Sequence, residues 1–325
     1  MVSATSVSID LPRPEDVREA ASRLSGRIHR TPLLANRSIV ERGGIETRLK
    51  CENLQRTGSF KIRGALNALL RLPDELRDAG VVAFSSGNHA QAVALAAKIT
   101  GIRATIVMPE ESVAAKMAAT RGYGAEIVSK GVDASNRRAI ALGIAESRGA
   151  TVIPPFDHPD IIAGAGTAIL EALEDRPEAR SIVVPLGGGG LLAGTALAAT
   201  SVSPGISVWG VEPEDGDDVR RSFEAGEIVE IEPPDTIADG ARTTAVGERN
   251  FEIIRKRVSG IATVSDDEIL ETLSFAISRT KLMIEPTGAL ALAAVLENRI
   301  PELVPPTIVL VSGGNVDFRL FRKLT

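Results

Sequence analysis

The chain has 325 residues and a mass of 34.2 kDa, which is enough for a large hydrophobic core divided between two domains. Its hydrophobic content of 44% and charged content of 24% are typical of a soluble enzyme, and its net charge of −5 argues against a nucleic-acid partner. The single cysteine, Cys51, excludes an internal disulfide bond.

Signals for export or membrane insertion are absent from the sequence. The segment from Met1 to Asp10 has neither a basic start nor an apolar core, and no apolar stretch has the length needed to span a bilayer. A lone cysteine fits a reducing compartment. We therefore expect a cytoplasmic protein without a membrane partner.

Strand and helix patterns alternate along the chain after a first helix that begins at Pro14. Apolar runs predict strands at Val81–Phe84, Thr105–Met108, Glu126–Val128, Ile182–Leu186, Val208–Val211 and Thr307–Val311. Apolar strands separated by helices indicate parallel sheets covered on both faces, so we expect an α/β protein with two doubly wound open-sheet domains. With hinges at Thr57–Gly58 and Pro154–Pro155, the large domain comprises residues 1–54 and 154–325, and the smaller inserted domain comprises residues 55–153.

Lys61 is the first candidate for chemistry. It is flanked by Phe60 and Ile62 and preceded by Ser59, a candidate helix N-cap. A lysine near a helix N-terminus in partly apolar surroundings has a lowered pKa and a nucleophilic amine. Taken alone, Lys61 is better interpreted as a surface residue. Taken with the next two motifs, it predicts an amine that forms a Schiff base with an aldehyde cofactor.

A polar turn, Ser-Ser-Gly-Asn-His at positions 85–89, lies between the strand Val81–Phe84 and an Ala-rich helix. Backbone N–H groups at the start of a helix favour an anion such as a carboxylate. Ser86 adds a hydroxyl that could move a proton, and Asn88 adds a neutral donor. A plain serine-capped turn is the alternative interpretation, and the run of polar residues favours a ligand site.

Four consecutive glycines open the predicted helix Leu191–Thr200: Gly187, Gly188, Gly189 and Gly190. Their backbone can form a nest of N–H donors at the positive end of the helix dipole, which suits a phosphate dianion. The segment also satisfies the dinucleotide pattern G-x-G-x-x-A, with Glu212 at the end of the next strand. A nicotinamide-dependent dehydrogenase is therefore a rival prediction, although it leaves Lys61 and the polar turn unexplained.

Two further polar segments follow predicted strands. The acidic run Glu212–Asp218 offers carboxylate oxygens that suit Mg²⁺ or Ca²⁺, although a solvated surface turn would have the same composition. The segment Ser312–Asn315 follows the strand Thr307–Val311. Ligands of open α/β sheets bind at the carboxyl ends of the strands, so Ser312 is a candidate for that edge.

In combination these motifs resemble the fold-type-II pyridoxal-phosphate family of threonine/serine dehydratases and serine racemases, whose fold is similar to that of tryptophan synthase β. The resemblance runs from His29–Leu33 to Ser312–Asn315. The motifs that carry it are Gly58–Ala65, Ser85–His89, Gly187–Gly190, Thr236–Gly240 and Ile284–Thr287.

The resemblance implies a role for each motif. Lys61 would hold the cofactor as an internal aldimine with Phe60 beside the ring, Asn88 would bond the ring hydroxyl, and Ser312 would face the pyridine nitrogen. The remaining cofactor-binding residues would be Gly187, Gly188, Gly189, Gly190 and Glu285. The substrate would be bound by Ser85, Ser86, Gly87, Asn88, His89, Arg137, Phe156 and Thr243. A divalent cation would be bound by Glu212, the carbonyl of Gly216 and Asp218.

The reaction implied by the resemblance is β-elimination of a β-hydroxy amino acid, most simply L-threonine or L-serine, to a 2-oxo acid and ammonia. Lys61 would remove the α-proton. Ser86, on the opposite face, could return a proton instead, so a serine racemase is the alternative. Phe156 stands where racemases tend to carry asparagine, and its apolar ring favours the dehydratase.

The same resemblance predicts the assembly and regulation of the protein. It implies a homodimer that takes a small amino-acid substrate. The sequence ends soon after Asp317, so we expect no isoleucine-binding regulatory domain of the kind that biosynthetic threonine dehydratases carry.

Overall fold

A computed structural model describes residues 9–317, 319 and 320. The helices are α1 (Pro14–Leu24), α2 (Arg37–Gly43), α3 (Lys61–Leu70), α4 (Asp74–Arg77), α5 (Asn88–Thr100), α6 (Ala114–Gly122), α7 (Arg137–Arg148), α8 (Pro159–Asp175), α9 (Gly190–Val202), α10 (Asp218–Ala225), α11 (Glu248–Arg257), α12 (Asp266–Phe275) and α13 (Pro286–Leu296). The strands are β1 (Leu33–Ala35), β2 (Thr47–Cys51), β3 (Val81–Phe84), β4 (Ala104–Val107), β5 (Glu126–Val128), β6 (Thr151–Val152), β7 (Ser181–Pro185), β8 (Ser207–Pro213), β9 (Gly260–Val264) and β10 (Thr307–Val311).

The strands form two separate sheets. The larger has six strands in the order β1-β2-β10-β7-β8-β9, and it is parallel except for β1, which pairs antiparallel with β2. The smaller has four parallel strands in the order β5-β4-β3-β6. The predicted α/β class is confirmed, because parallel strands alternate with helices through both sheets.

Both faces of the larger sheet are covered. Val184 packs with α8 and α9 in one buried cluster, whereas its neighbour Val183 packs with α13 in another. Successive side chains of a strand point to opposite faces, so this alternation places one helical layer on each side. Apolar strands without polar alternation are the sequence signal for this arrangement.

All four strands of the smaller sheet come from residues 81–152, within the segment predicted as an inserted domain. The domain limits at residues 54 and 154 stay a prediction. Helix α3 contacts α5 beside the smaller sheet and also α8 beside the larger one. The helix that begins with Lys61 is therefore shared by the two layers.

Close contacts between glycines join α3, α8 and α9. A Cβ on Gly164 of α8 would lie 2.5 Å from the carbonyl oxygen of Arg63 in α3. On the same helix, a Cβ on Gly166 would lie 2.5 Å from the carbonyl oxygen of Gly194 in α9. The three helices thus approach backbone to backbone, and no larger residue fits at these crossings.

Among the described residues, no helix combines the length and the apolar character that crossing a bilayer requires.

Candidate active site

The start of α3 lies against the carboxyl end of the larger sheet. The Phe60 N–H donates to the Ser312 carbonyl over 3.0 Å, and Ser59 forms an isolated bridge with Gly313 just beyond β10. The prediction that Ser59 caps this helix is wrong, because Phe60 occupies the N-cap position and the buried Ser59 hydroxyl has no partner in the described structure. The residue before Lys61 nevertheless contacts Ser312, and the predicted contact of Ser312 with the cofactor stays a prediction.

The Lys61 amine is held in place while remaining reactive. Nζ donates to the Pro155 carbonyl over 2.8 Å and lies 5.1 Å from the centroid of the Phe60 ring. Burial lowers the pKa of Lys61 to about 8, although the nearby charge of Glu285 acts in the opposite direction. A fraction of the amine is therefore neutral and nucleophilic near neutral pH.

The polar turn follows β3 and begins α5, as predicted. The Gly87 N–H donates to the Ser85 hydroxyl over 3.2 Å, and Ser86 and Asn88 are partly exposed beside it. No hydrogen bond of the Ser86 hydroxyl is found within the described ranges. The turn therefore leaves a hydroxyl and the helix N-terminus open to a ligand.

His89 has a different position from the rest of this turn. Its ring is 3% exposed, and Nε2 lies 2.9 Å from the Ile153 carbonyl. A carbonyl can only accept, so Nε2 carries the proton of a neutral imidazole. Burial, reinforced by the charge of Lys61, lowers the pKa of His89 to about 3. The ring belongs to the core, and only the backbone N–H of His89 remains for the predicted substrate contact.

Asn88 belongs to a group of three polar side chains. Its Nδ2 donates to Glu285 Oε1 over 2.6 Å, and its Oδ1 accepts from Asn315 Nδ2 over 2.8 Å. The Asn315 backbone N–H donates to Glu285 Oε2 over 3.1 Å. The structure thus brings Asn88 and Glu285 into direct contact across the two sheets.

The glycine loop connects β7 to α9. Within the described part of the chain, the N–H groups of the four glycines from Gly187 to Gly190 have no acceptor. Gly189 has a φ of +92°, which few other residues adopt, and the Gly188 carbonyl accepts from Asn250 Nδ2 over 2.6 Å. Four such donors at a helix N-terminus suit an anion, and the phosphate contact of these glycines stays a prediction.

Phe156 lies beside the glycine loop, where a Cβ on Gly188 would overlap its ring. Arg137 begins α7 and is half-buried, so burial lowers the pKa of its guanidinium. In the described chain, no acidic side chain forms an ion pair with Arg137. Thr243 lies next to Asp218, and its predicted contact with the substrate stays a prediction.

Two of the predicted metal ligands form a buried carboxylate pair, with Glu212 near the end of β8 and Asp218 at the start of α10. Glu212 is fully buried and accepts from the N–H groups of Val219 and Arg220 over 3.2 and 2.8 Å. Both carboxylate oxygens of Asp218 are buried without a hydrogen-bond partner among the described residues. Burial raises the pKa of Asp218 to about 7, and burial together with the charge of Asp218 raises that of Glu212.

Two like charges in a dry site are stabilised by a bound cation. In the described chain, no three side chains of the His, Cys, Asp and Glu types converge, so backbone carbonyls and water would complete the coordination. The two carboxylates and the unpartnered oxygens of Asp218 fit a small hard cation.

Three participants were not predicted as site residues: Asn315, Asn250 and the Pro155 carbonyl. Asn315 was noted only as the end of a turn, although a polar residue just beyond a parallel strand is a usable signal. Asn250 is fully buried in an otherwise apolar row of α11, which hints at a polar partner. A backbone carbonyl gives no sequence signal at all.

The residues fit pyridoxal phosphate. A lysine with a lowered pKa is available for the aldehyde, and four unpaired backbone donors are available for the phosphate. Ser312 contacts Phe60, the residue before Lys61, and Asn88 contacts Glu285, whose charge acts on Lys61, so polar groups are available for the cofactor ring. Among the described residues, no carboxylate forms an ion pair with Lys61 that the cofactor would have to break.

Comparisons with known proteins agree with this geometry. Residues 24–314 match the family described as "Pyridoxal-phosphate dependent enzyme". The chain is 48% identical over 315 residues to the L-threo-3-hydroxyaspartate ammonia-lyase of Saccharomyces cerevisiae, covering 97% of this chain and 96% of that protein. It is 45% identical to the serine racemase of Schizosaccharomyces pombe, covering 96% of each chain.

Solved structures give the same result. The threonine deaminase of T.th. superposes with a TM-score of 0.90 at 49% identity, covering 94% of this chain and 99% of the other. The relatives span ammonia-lyases and racemases, and they favour the aldehyde-cofactor prediction over the dinucleotide one.

Proposed function

The chain belongs to the pyridoxal-phosphate-dependent enzymes of fold type II, among the ammonia-lyases and racemases, and we propose that it is an ammonia-lyase acting on a β-hydroxy amino acid. The products are a 2-oxo acid and ammonia. The observation that carries this proposal is the Lys61 amine, whose pKa burial lowers to about 8, beside a glycine loop with free N–H donors.

Each step uses a group already described. The glycine loop would bind the cofactor phosphate and Lys61 would hold the cofactor; once the substrate amine has displaced it, the freed Lys61 amine would remove the proton from the substrate α-carbon. Bound pyridoxal phosphate supplies an electron sink for the electron pair left at that carbon. The N–H groups of the polar turn at positions 85–89 bind the substrate carboxylate. The β-hydroxyl would take up a proton and leave as water, and the resulting enamine, once released, would tautomerise to an imine that water hydrolyses to the 2-oxo acid and ammonia.

A dicarboxylic substrate, 3-hydroxyaspartate, is our first choice over threonine and serine. The ammonia-lyase of Saccharomyces cerevisiae is named for that substrate, and at 48% its identity to this chain is similar to the 49% of the T.th. threonine deaminase. Arg137 supports the choice, because it is a half-buried cation with no acidic partner among the described residues. A second substrate carboxylate would complete that pair.

Racemisation is the second candidate activity, and Ser86 favours it. Its hydroxyl lies in the turn before α5 and makes no hydrogen bond to the described residues, so it is free to donate a proton to the α-carbon. Phe156 argues against it as the main reaction, since racemases tend to carry asparagine at the position that this residue matches. Both activities use the same proton removal by Lys61.

A divalent cation is part of the proposal. Glu212, the Gly216 carbonyl and Asp218 would bind Mg²⁺ or Ca²⁺ at the end of β8. Its contribution would be structural, because Glu212 lies in β8, and β8 pairs with β7, the strand that leads into the glycine loop.

The test is release of 2-oxo acid by purified protein supplied with pyridoxal phosphate and Mg²⁺. The substrates are L-threo-3-hydroxyaspartate, L-threonine and L-serine, and D-serine formation is measured in parallel. We expect elimination with hydroxyaspartate as the preferred substrate. Lys61→Ala is the control and should abolish both activities and the visible band of the attached cofactor. Absence of oxo acid from all three substrates would contradict the ammonia-lyase.

A further inference from the structure

The amide of Asn88 has only one orientation that satisfies its neighbours. Asn315 Nδ2 donates to the Thr57 carbonyl over 2.7 Å, and since a carbonyl can only accept, that atom must be the nitrogen of Asn315. The same Nδ2 lies 2.8 Å from Asn88 Oδ1, which is therefore the accepting oxygen. Asn88 Nδ2 must then face Glu285 Oε1, at 2.6 Å.

This chain of hydrogen bonds leaves one free donor. Nδ2 of an asparagine carries two protons, and one of them is used by Glu285. The oxygen of Asn88 is already occupied by Asn315. Asn88 can therefore donate a hydrogen bond to a cofactor on Lys61. Rotating its amide to accept one would break its hydrogen bonds to Asn315 and Glu285.

We infer that Glu285 and Asn315 are positioning residues that hold Asn88 as a hydrogen-bond donor to the ring oxygen of the cofactor. The inference rests on the proposed function, since it concerns residues that contact the same site. Glu285 acts through Asn88 rather than by touching the ring. The donated bond keeps negative charge on the ring oxygen and the proton on the nitrogen that links the cofactor to Lys61.

Burial supports this role of Glu285. Its side chain is 4% exposed, and both oxygens accept hydrogen bonds from this group. Burial raises the pKa of Glu285 to about 7 and the charge of Asp239 adds to the effect, whereas Asn88, Lys116 and the Asn315 N–H oppose it. In either protonation state Glu285 retains an oxygen that can accept from Asn88, so the orientation of the amide does not depend on a full charge.

The experiment compares the absorption spectra of the purified holoenzymes at a fixed pH. A proton on the linking nitrogen gives the visible band, and a proton on the ring oxygen gives a band in the near ultraviolet. Glu285→Ala removes the acceptor of Asn88 Nδ2 and of the Asn315 N–H, so that Asn88 is held only through its oxygen. We therefore expect the ratio of the two bands to shift toward the ultraviolet form by about tenfold, the value of one charge-assisted hydrogen bond. Asn315→Ala should shift it in the same direction.

Two variants separate positioning from other effects. Glu285→Gln keeps an acceptor for Asn88 but loses one for the Asn315 N–H, so its shift should be smaller than that of Glu285→Ala. Asp239→Asn removes a neighbouring charge without contact to Asn88, and its band ratio should match the parent. A parental ratio in Glu285→Ala, or an equal shift in Asp239→Asn, would overturn the inference.

The outcome also separates this inference from the proposed function. If the parent protein shows no cofactor band that is lost in Lys61→Ala, the proposed function itself fails. If the parent band is present and Glu285→Ala leaves it unchanged, only the positioning role fails. Should Glu285→Ala not fold, Asn315→Ala and Glu285→Gln carry the same comparison, and thermal unfolding of each variant shows which spectra come from folded protein.

Discussion

Burial lowers the pKa of both Lys61 and His89. Each lies in partly or wholly apolar surroundings, and the charge of Lys61 disfavours a charge on His89. Near neutral pH the His89 ring is therefore uncharged, whereas part of the Lys61 amine is still protonated. Sequence patterns predicted the lowered pKa of Lys61 from its apolar neighbours, but they did not predict that the histidine ring of the turn would be buried.

Attachment of the cofactor should follow the ionisation of Lys61. The amine is mostly unprotonated above its pKa, so the rate at which the cofactor-free protein forms its visible band should rise with pH with a midpoint at about 8. Stopped-flow absorbance across the pH range measures this rate, with Lys61→Ala as the blank. A midpoint near 10.5, the ordinary value for lysine, would contradict the lowered pKa.

Acid stability should depend on His89. Its pKa is about 3 in the folded protein and 6.5 ordinarily, so the unfolded chain binds more protons between these values and stability is lost as the pH falls from 6.5 toward 3. Glutamine can donate to the Ile153 carbonyl without acquiring a charge. Urea midpoints for His89→Gln should therefore fall less than those of the parent between about pH 7 and about pH 5. An identical fall in both proteins would exclude His89 as the cause.

Secondary-structure elements were predictable wherever an apolar run ended in a polar or glycine-rich turn. The strands β3, β5 and β10 have the predicted limits, and β4, β7 and β8 differ from prediction by a few residues at their ends. The short strands β1 and β6 were not predicted, and neither was β9. Strand β2 was missed because Lys50 and Arg48 give it a polar appearance.

The polar appearance of β2 has a long-range explanation. Lys50 is fully buried, and its Nζ donates to Glu171 Oε2 over 2.6 Å and to the Thr31 carbonyl over 2.8 Å. Glu171 lies on α8, more than a hundred positions further along the chain. Only the folded protein brings this partner to Lys50, so no local pattern could have revealed β2.

Replacing Gly164 should separate α3 from α8. A methyl at this position meets the backbone of Arg63 and Gly64, so Gly164→Ala should destabilise the protein by about 1–3 kcal/mol and weaken cofactor binding by displacing Lys61. Chemical denaturation and cofactor titration measure the two effects. Gly143→Ala is the matched control, because a Cβ there meets nothing within 4 Å and alanine favours a helix. Equal stability of the two variants would argue against a tight crossing.

Arg63 should be essential for the stability of the same helix. It is fully buried, and its guanidinium binds Glu52 at 2.7 and 2.8 Å and Glu171 at 2.7 and 2.9 Å. Arg63→Met would leave Glu52 buried without its main partner, at a cost of about 3–5 kcal/mol in the free energy of unfolding. The exposed pair of Arg37 and Glu41 provides the control, where Arg37→Met should cost less than about 1 kcal/mol. A loss of less than about 1 kcal/mol for Arg63→Met would show that Glu52 and Glu171 find other partners when the guanidinium is removed.

Divalent cations are expected to raise the thermal stability of the whole molecule. The carboxylates of Glu212 and Asp218 join the end of β8 to α10, and their repulsion is relieved when a cation lies between them. Mg²⁺ or Ca²⁺ should therefore raise the melting temperature, and chelation should lower it. Asp218→Asn should remove the response to cations. An unchanged response in that variant would place the binding site elsewhere.

The position of β10 has a consequence for biosynthesis. This strand lies between β2 and β7 at the centre of the larger sheet, yet it comes from residues 307–311, far along the chain from β2. Residues 81–152 are translated well before β10, so the smaller sheet can form while β2 still lacks β10 as its parallel neighbour. Ser312 and Gly313, which hold the segment before Lys61, emerge later still. A nascent polypeptide therefore has no complete cofactor pocket until this late stretch has been translated and threaded into the sheet.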